Sequence, residues 1–357
     1  MGLPNINIAF KTQAASAVSR SEKGVLAIII KDAAVEAKGF HVLNGATQIP
    51  TLLDVTNKEY IADSFVGYLN QPRKVLVYVL PADAGDDYSE ALDFFATQSF
   101  DYLVGPADCP AAGAAGIASW IAGQRNNDLT PKAVLPELAA DSEAIIHFSA
   151  DKIKVGGKEK TAAAYCSRMA GLIAGTPLTI SCTFAPLPEV TDVERLTKEQ
   201  MDQAIDAGKL IIFHDGDKVK VGRGINSLVT TTADKGEAFR KIKIVEALDM
   251  IKTDIRKTAQ DSYIGKYANS YDNKCLLISA IKGYFSQLEL EVILQAGSSH
   301  VGIDMAGQTA YLQSTGTDVS LMNEQQIKEA NTADKVFLEA RIKILDAIED
   351  IALNIVI

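Results

Sequence analysis

Residues 24–32 read GVLAIIIKD, and the interpretation of that run decides the rest of the chain. From Leu26 to Ile30 no polar residue intervenes. A strand with one wet face would alternate, so an unbroken apolar run marks a strand covered on both faces. Downstream, 57–69 (NKEYIADSFVGYL) has helical spacing, 74–81 (KVLVYVLP) reads as a strand, 87–100 (DYSEALDFFATQSF) as a helix and 101–106 (DYLVGP) as a strand. A helix over 111–127 and strands at 132–136 (KAVLP) and 144–149 (AIIHFS) continue the series. Strands alternating with helices of about a dozen residues predict βαβ units, hence an α/β body with a mostly parallel sheet and flanking helices.

Past residue 150 the pattern changes. KIKVGGKEKT (152–161) predicts a hairpin about Gly156 and Gly157, followed by a helix over 162–175. A second hairpin, 208–224, turns at Asp215-Gly216, a strong turn dipeptide. Long helices over 234–260 and 270–290 and a short β segment at 298–308 give the second half an α+β character. The domain boundary is placed near residue 230. On the first long helix Ile244, Leu248, Ile251 and Ile255 recur at helical spacing and predict a core-facing stripe. Lys241, Lys252 and Arg256 group beside that stripe.

Both ends alternate with the period of a strand. In KVFLEARIKILDAIEDIALNIVI (335–357), Val336, Leu338, Ala340, Ile342 and Ile344 fall on one face, and Glu339, Arg341 and Lys343 on the other. Ile351, Leu353, Ile355 and Ile357 then alternate with Ala352, Asn354 and Val356. At the other end Ile6, Ile8 and Phe10 alternate within LPNINIAF, and a small, polar stretch over 11–24 separates them from the body as a linker. The organisation expected is an arm over 1–20, an α/β body over 21–230, a second domain over 231–346 and an arm over 347–357. An apolar terminal strand with nothing after it to cover its edge is an aggregation hazard unless something pairs with it.

Composition narrows the function. At 357 residues, 47% hydrophobic and 22% charged, the chain can bury more than one core. Forty-five acidic against 35 basic residues, a net charge of −10, argue against a general nucleic-acid binder. No apolar run approaches the roughly 20 residues that cross a bilayer, and MGLPNINIAFKTQ lacks the pattern of a signal peptide. Cys109, Cys166, Cys182 and Cys275 form no CxxC pair and read as free thiols in a reducing cytosol.

Catalytic constellations are missing where an α/β enzyme would carry them. A dinucleotide site needs GxGxxG between the first strand and its helix, but AAVEAKGFHVLNGATQ (33–48) follows instead. GRGINS (222–227) leads out of a hairpin and reads as its tight exit. CSRMAGLIAG (166–175) has a faint likeness to the serine-nucleophile helix of subtilisin-type proteases, with Ser167 in the nucleophile's place. A triad also needs a histidine to take the serine proton. His41, His147, His214 and His300 are far apart, and His147 and His214 read as strand residues with satisfied hydrogen bonds. Histidines and cysteines never cluster at ligand spacing, and DGDK (215–218) lacks the rest of a calcium loop. Asp86-Asp87 and Glu349-Asp350 read as solvated turns. The expectation is a protein that is not an enzyme and has no cofactor and no metal.

One stretch, GKLIIFHDGDKVKVGRGINSLVTTTADKGEAFRKIKIVEALDMIKTDIRKTAQDSYIGKYANSYDNK (208–274), resembles the conserved region of contractile tail sheath proteins of myovirus-type phages and R-type bacteriocins. The hairpin running into RGINSL, the helix KIKIVEALDMIKTDIR and YIGKYANSYDNK carry the likeness, and AGLIAGTPL (170–178) fits it too. It extends from GLPNINI to IALNIVI and is similar to the compact sheaths of clostridial phage-like elements. The resemblance implies a structural subunit that stacks as hexameric rings around a tail tube and contracts to drive the tube through a cell envelope. It implies neighbouring sheath subunits, a tube protein, and baseplate and terminator proteins as partners. It also implies assembly in the host cytoplasm, release by lysis, and residence in a virion or phage tail-like particle. Ile6, Ile8, Phe10, Ile351, Leu353 and Ile355 would be the strand-exchange residues of the arms, and Lys241, Lys252 and Arg256 a tube contact. A cytosolic α/β enzyme or nucleotide-binding protein, and an unrelated self-assembling filament or shell protein, stand as alternatives.

Overall fold

The computed structural model describes Val18 and residues 23–356. The chain divides into two compact units: residues 23–253 with 346–356, and Asp254–Leu345. No helix among the described residues is long and apolar enough to cross a membrane.

The first unit is built on β1 (Val25–Asp32), in which Leu26 through Ile30 are fully buried. Five further strands set up the sheet with β1: β2 (Gly39–Leu43), β3 (Lys74–Pro81), β4 (Tyr102–Val104), β5 (Lys132–Pro136) and β6 (Ile145–Phe148). The order β6-β5-β4-β1-β3-β2 is parallel throughout except for the antiparallel edge strand β2. Leu26, Ile28 and Ile30 pack on one face with Tyr60, Ile61, Met169 and Ile173, while Ala27 and Ile29 pack on the other with Phe95, Ile117 and Ile121. That two-sided burial is why the strand reads as an unbroken apolar run.

Four helices cover the faces. On the first lie α1 (Val55–Ser64), N-capped by Asp54, and, crossing it later in the chain, α4 (Ala162–Ala174), N-capped by Thr161. On the second lie α2 (Ser89–Phe95) and α3 (Ala111–Asn126), with Phe100 stacked on Trp120 at 6.4 Å. Helix α4 is apolar nearly all round, as a fully enclosed helix must be. It approaches α1 so closely that a Cβ at Gly171 would lie 2.0 Å from the Ser64 carbonyl oxygen.

The predicted hairpins form, with one difference. β7 (Ile153–Val155) and β8 (Lys158–Lys160) turn on Gly156 and Gly157, both at positive φ (56° and 79°), and β9 (Val190–Asp192) adds to β7. A helix that apolar periodicity does not reveal, α5 (Lys198–Asp206), starts on a Thr197–Gln200 capping box and buries no residue. The strand expected over 209–214 is split: β10 (Lys209–Leu210) joins the large sheet beside β6, while β11 (Ile212–His214) pairs with β12 (Val219–Val221). The Asp215 carboxylate accepts from the Asp217 and Lys218 amides at the turn, both at 2.9 Å.

Helix α6 (Ile242–Thr258) closes the amino-terminal ends of β1, β4 and β5 with buried charge. Tyr102 donates to Glu246 Oε1 at 2.6 Å, and Lys23 pairs with the same carboxylate. Arg125 makes a two-pronged contact with Asp249 at 3.0 and 3.1 Å, and Lys132 reaches Asp249 Oδ2 at 3.2 Å. Ile244 and Ile251 are buried and Leu248 and Ile255 half-buried, so the expected stripe is inward, but Glu246 and Asp249 are buried beside it.

The second unit holds a π-helical turn at Ala259–Tyr263, α7 (Tyr271–Leu290), β13 (His300–Ile303), α8 (Met305–Ser314), α9 (Glu324–Glu329) and β14 (Leu338–Arg341). Asn269 Nδ2 donates to Thr332 Oγ1 and the Ala333 and Lys335 carbonyls, tying YIGKYANSYDNK to the segment before β14. β13 and β14 pair antiparallel as a two-stranded sheet. Past β14 the Leu345 amide donates to the Ile293 carbonyl at 2.9 Å.

Within the first unit Arg168, 3% exposed, donates to Glu189 Oε1 at 2.7 Å and to the Gly67 carbonyl at 2.8 Å, while Tyr165 donates to the same carboxylate. Burial alone would raise the Glu189 carboxyl, but the Arg168 charge and these hydrogen bonds hold it below the ordinary glutamate range. Glu189→Ala strands a buried guanidinium and should cost about 3–5 kcal/mol at neutral pH, read as a lower urea midpoint at unchanged slope. A depressed carboxyl stabilises fully above its unfolded-state value and less as pH falls through the folded one. The gap between variant and parent should therefore close in acid.

Candidate interaction surface

The ligand crevice of a doubly wound sheet lies at the carboxyl ends of its strands, where the strand order reverses. Here that position, beyond β1 and β4, is filled by the chain itself. Tyr60 is 2% exposed and donates to the Gly105 carbonyl at 2.8 Å. Asp32 accepts from the Ala34 and Asp54 amides and from Asn57 Nδ2, each at 2.8 Å.

Ser167 is fully buried between α1 and α4, where its hydroxyl donates to the Tyr60 carbonyl at 2.7 Å. Buried there, it is out of reach of a substrate, in line with the reading against a serine nucleophile. His214 accepts the Gly216 amide on Nδ1 at 2.9 Å, as a strand-end residue. His147 departs from the expectation of satisfied hydrogen bonds: neither ring nitrogen has a partner, and Glu137 Oε2 lies 3.7 Å from Nε2. Burial pushes the Cys109 thiol up to about 11 and the Cys182 thiol up to about 12, so neither is a thiolate at neutral pH. No group of metal-ligating side chains gathers among the described residues.

Exposed apolar side chains occur along the chain, Val35, Leu290 and Leu321 among them, and they gather in its last described residues. Ile6, Ile8 and Phe10 lie outside the described residues. Residues 346–356 carry no helix or strand. Ile351, Leu353 and Ile355 are 80%, 75% and 75% exposed, and Ile348 and Val356 still more. In β14 and just after it, Leu338, Ile342 and Ile344 are half-buried while Val336 and Ala340 are exposed. The apolar face expected there is therefore only partly covered.

The root of this segment is held by polar contacts, which corrects the reading of Glu349-Asp350 as a solvated turn. The Glu349 side chain is 5% exposed. Its Oε1 accepts from Thr183 Oγ1 at 2.5 Å and Ser181 Oγ at 3.2 Å; its Oε2 lies 3.4 Å from Lys241 Nζ and 3.6 Å from Arg223 Nε. Lys241 also pairs with Asp346, and Arg223 with Asp350 at 2.5 Å. Burial works against the Lys241 ammonium, yet the Asp346 hydrogen bond and the Glu349 and Asp346 charges raise it above the ordinary lysine range.

GRGINS supplies this pocket. A Cβ at Gly224 would come within 2.9 Å of Cys182 Sγ and 3.0 Å of Ser181 Oγ, and the Gly224 amide donates to Thr183 Oγ1 at 2.9 Å. The tight exit expected of the motif is present, and it brings Arg223 against the terminal segment. Of the three grouped cations, Lys241 is engaged by that segment, Lys252 pairs with Asp128 at 2.9 Å, and Arg256 lies half-buried on the last turn of α6.

Comparison with known proteins matches residues 83–227 to the phage tail sheath protein central domain and residues 234–357 to the phage tail sheath C-terminal domain. The tail sheath protein of Clostridium phage phiCD119 is 40% identical over 361 aligned residues, covering 99% of each chain. The phage-like element PBSX protein XkdK of Bacillus subtilis is 28% identical over 62% of this chain and 48% of its own. Among solved structures, the sheath tail protein of Desulfitobacterium hafniense superimposes with a TM-score of 0.69 at 18% identity, covering 84% of this chain and 94% of its own. The contracted helical sheath of the anti-feeding prophage gives 0.73 at 16% identity, covering 100% and 99%.

The buried hydroxyl offers a direct check on the non-catalytic reading. Ser167→Ala should lower stability by about 1 kcal/mol, the worth of one hydrogen bond, seen as a shifted urea midpoint, and should leave self-assembly unchanged.

Proposed function

The chain belongs to the phage tail sheath family, and from that premise we propose that it polymerises as stacked hexameric rings around a tail tube and contracts to drive the tube through a target envelope. Its neighbours in the particle are then further copies of itself, the tube, and the baseplate and terminator proteins. Synthesis and assembly take place in the host cytoplasm, with release by lysis. Residues 1–20 and 347–357 act as the arms that join neighbouring copies, and residues 231–346 as the domain that receives them.

The observation that carries the reading is the exposed, alternating apolar segment after Asp350. Strand addition supplies main-chain hydrogen bonds for strength and alternating side-chain contacts for register. Two arms need two strand edges. The β13–β14 sheet has two strands and so two outer edges, each four residues long. The large sheet offers β2 at one edge and only the two residues of β10 at the other. On the β11–β12 sheet Lys220 already bridges to Pro186. The three-stranded sheet has edges of three residues each, β8 and β9, so the acceptor this reading favours is β13–β14 of another copy, whose exposed Val336 and Ala340 would then be covered.

Removing residues 351–357 should leave a folded subunit, with its root contacts intact, that forms no cylinders in negative stain. Cylinders of normal length and yield from the truncated chain would refute strand donation. A second expectation concerns the tube. With Lys241 engaged by the terminal segment, the tube-facing reading rests on Lys252 and Arg256. Exposed ion pairs of about 0–1 kcal/mol each suit a contact that must let go on contraction. Lys252→Glu with Arg256→Glu should spare sheath-only polymers and block loading onto tubes; tube-loaded particles at parental yield would place the contact elsewhere.

A further inference from the structure

Resting on the strand-donation reading, we infer that Glu349 is a positioning residue: it fixes the point and direction at which the C-terminal segment leaves the body, so that the donated strand meets a neighbouring copy already oriented.

The inference starts from a contrast within eleven residues. From Ile351 to Val356 every residue is exposed, yet two positions earlier Glu349 has one of the least exposed carboxylates in the chain, at 5%. A carboxylate is removed from water at high cost unless its oxygens are matched. Here two hydroxyls hold Oε1 and two cations flank Oε2. The neighbouring acids are unlike it: the side chains of Asp346 and Asp350 are 41% and 82% exposed. Their pairs are of the surface kind that contributes little. Glu349 is thus the fixed point, and Asp346 and Asp350 brace the cations it uses.

The receiving pocket is preformed. Gly224 allows the close approach to Ser181 and Cys182, its amide orients Thr183 Oγ1, and Ser181 Oγ accepts the Thr183 amide at 3.1 Å. All of these groups belong to the same compact unit as Glu349.

The gain is in association. An arm hanging from a free root samples many directions and loses that freedom when it docks; a held root has lost it beforehand, which raises its effective concentration at the acceptor edge. Only the root needs to be fixed, and the exposed portion beyond it stays available to the partner.

The test uses the full chain, with Glu349→Ala and Glu349→Gln. Glutamine keeps an acceptor for the two hydroxyls and loses the charge. Three quantities are measured: the thermal midpoint of the free subunit, the subunit concentration at half-assembly of cylinders, and the anisotropy decay of a dye on Ala352→Cys below the assembly concentration. The dye variants carry Cys275→Ser, since Cys275 is the one cysteine not buried. Expected for Glu349→Ala are faster nanosecond motion at position 352 and about a tenfold rise in the half-assembly concentration, with a midpoint near the parent's. Glu349→Gln should fall between. A merely structural role would move the midpoint and not the dye.

Unchanged anisotropy in both variants, or parental assembly by both, overturns the inference. If Glu349→Ala does not fold, Glu349→Gln decides by the same two readouts. Cylinders from the chain lacking 351–357 would refute strand donation and this inference together. Failure of that truncation beside normal assembly of both Glu349 variants would refute the role of Glu349 alone.

Discussion

A strand edge carries unpaired N–H and C=O groups, and a folded chain must pair, cover or blunt every one of them. That requirement organises this molecule. In the large sheet the central strands are saturated on both sides, and the edges are handled differently at each end. β10 is only two residues long, and β2 runs antiparallel with Gly39 at φ 99° where it begins. An edge of two residues gives a second chain little to copy. The β13–β14 pair differs from that end: two regular strands, two outer edges, and apolar residues left in view.

Charge takes two forms within the first unit. Glu246 and Asp249 are buried on α6 against Lys23, Tyr102, Arg125 and Lys132. Breaking such a pair by removing one partner costs about 3–5 kcal/mol, whereas its net contribution over an apolar substitute is often near zero. The network therefore does little for overall stability. What it does is fix one seating of α6 on the sheet, because any slip strands a charge. Lys252 with Asp128, at 47% and 79% exposure, is of the other kind, worth at most about 1 kcal/mol and replaceable by solvent or by a partner.

Much of the fold was legible because burial leaves a periodic trace. β1 is covered on both faces and reads as a continuous apolar run, and α4 is enclosed and reads as apolar all round. Gly156, Gly157 and Gly216 are turn residues because they sit at positive φ, which favours glycine, while Asp215 caps its turn through its carboxylate. The failures have physical reasons as well. β2 (GFHVL) is a half-exposed edge whose glycine and histidine break the alternation. α5 buries nothing and has only its capping box to announce it. The split of 209–214 between two sheets is a tertiary choice that local periodicity does not encode. The buried carboxylates were the least visible of all. Glu246 and Asp249 look like the wet side of an amphipathic helix, and Glu349 looks like a turn, because the cations that neutralise them are remote in sequence: Arg125 lies 124 residues from Asp249.

The polar character of the arm root has a physical reason that an apolar root would not satisfy. The segment after Asp350 is apolar, and hydrophobic attraction is non-directional. An apolar root would slide along any greasy surface of its own body and carry the following residues down with it, burying the strand that we propose is donated to another chain. A carboxylate whose Oε1 accepts two hydroxyls, and whose Oε2 lies 3.4 and 3.6 Å from two cations, is bound by directional contacts that a shift of an ångström or two would lose. Directional bonds at the root and non-directional surface at the tip are therefore complementary. The first fixes where the segment leaves its own body, and under strand donation the second would give a neighbouring sheet edge something to bury.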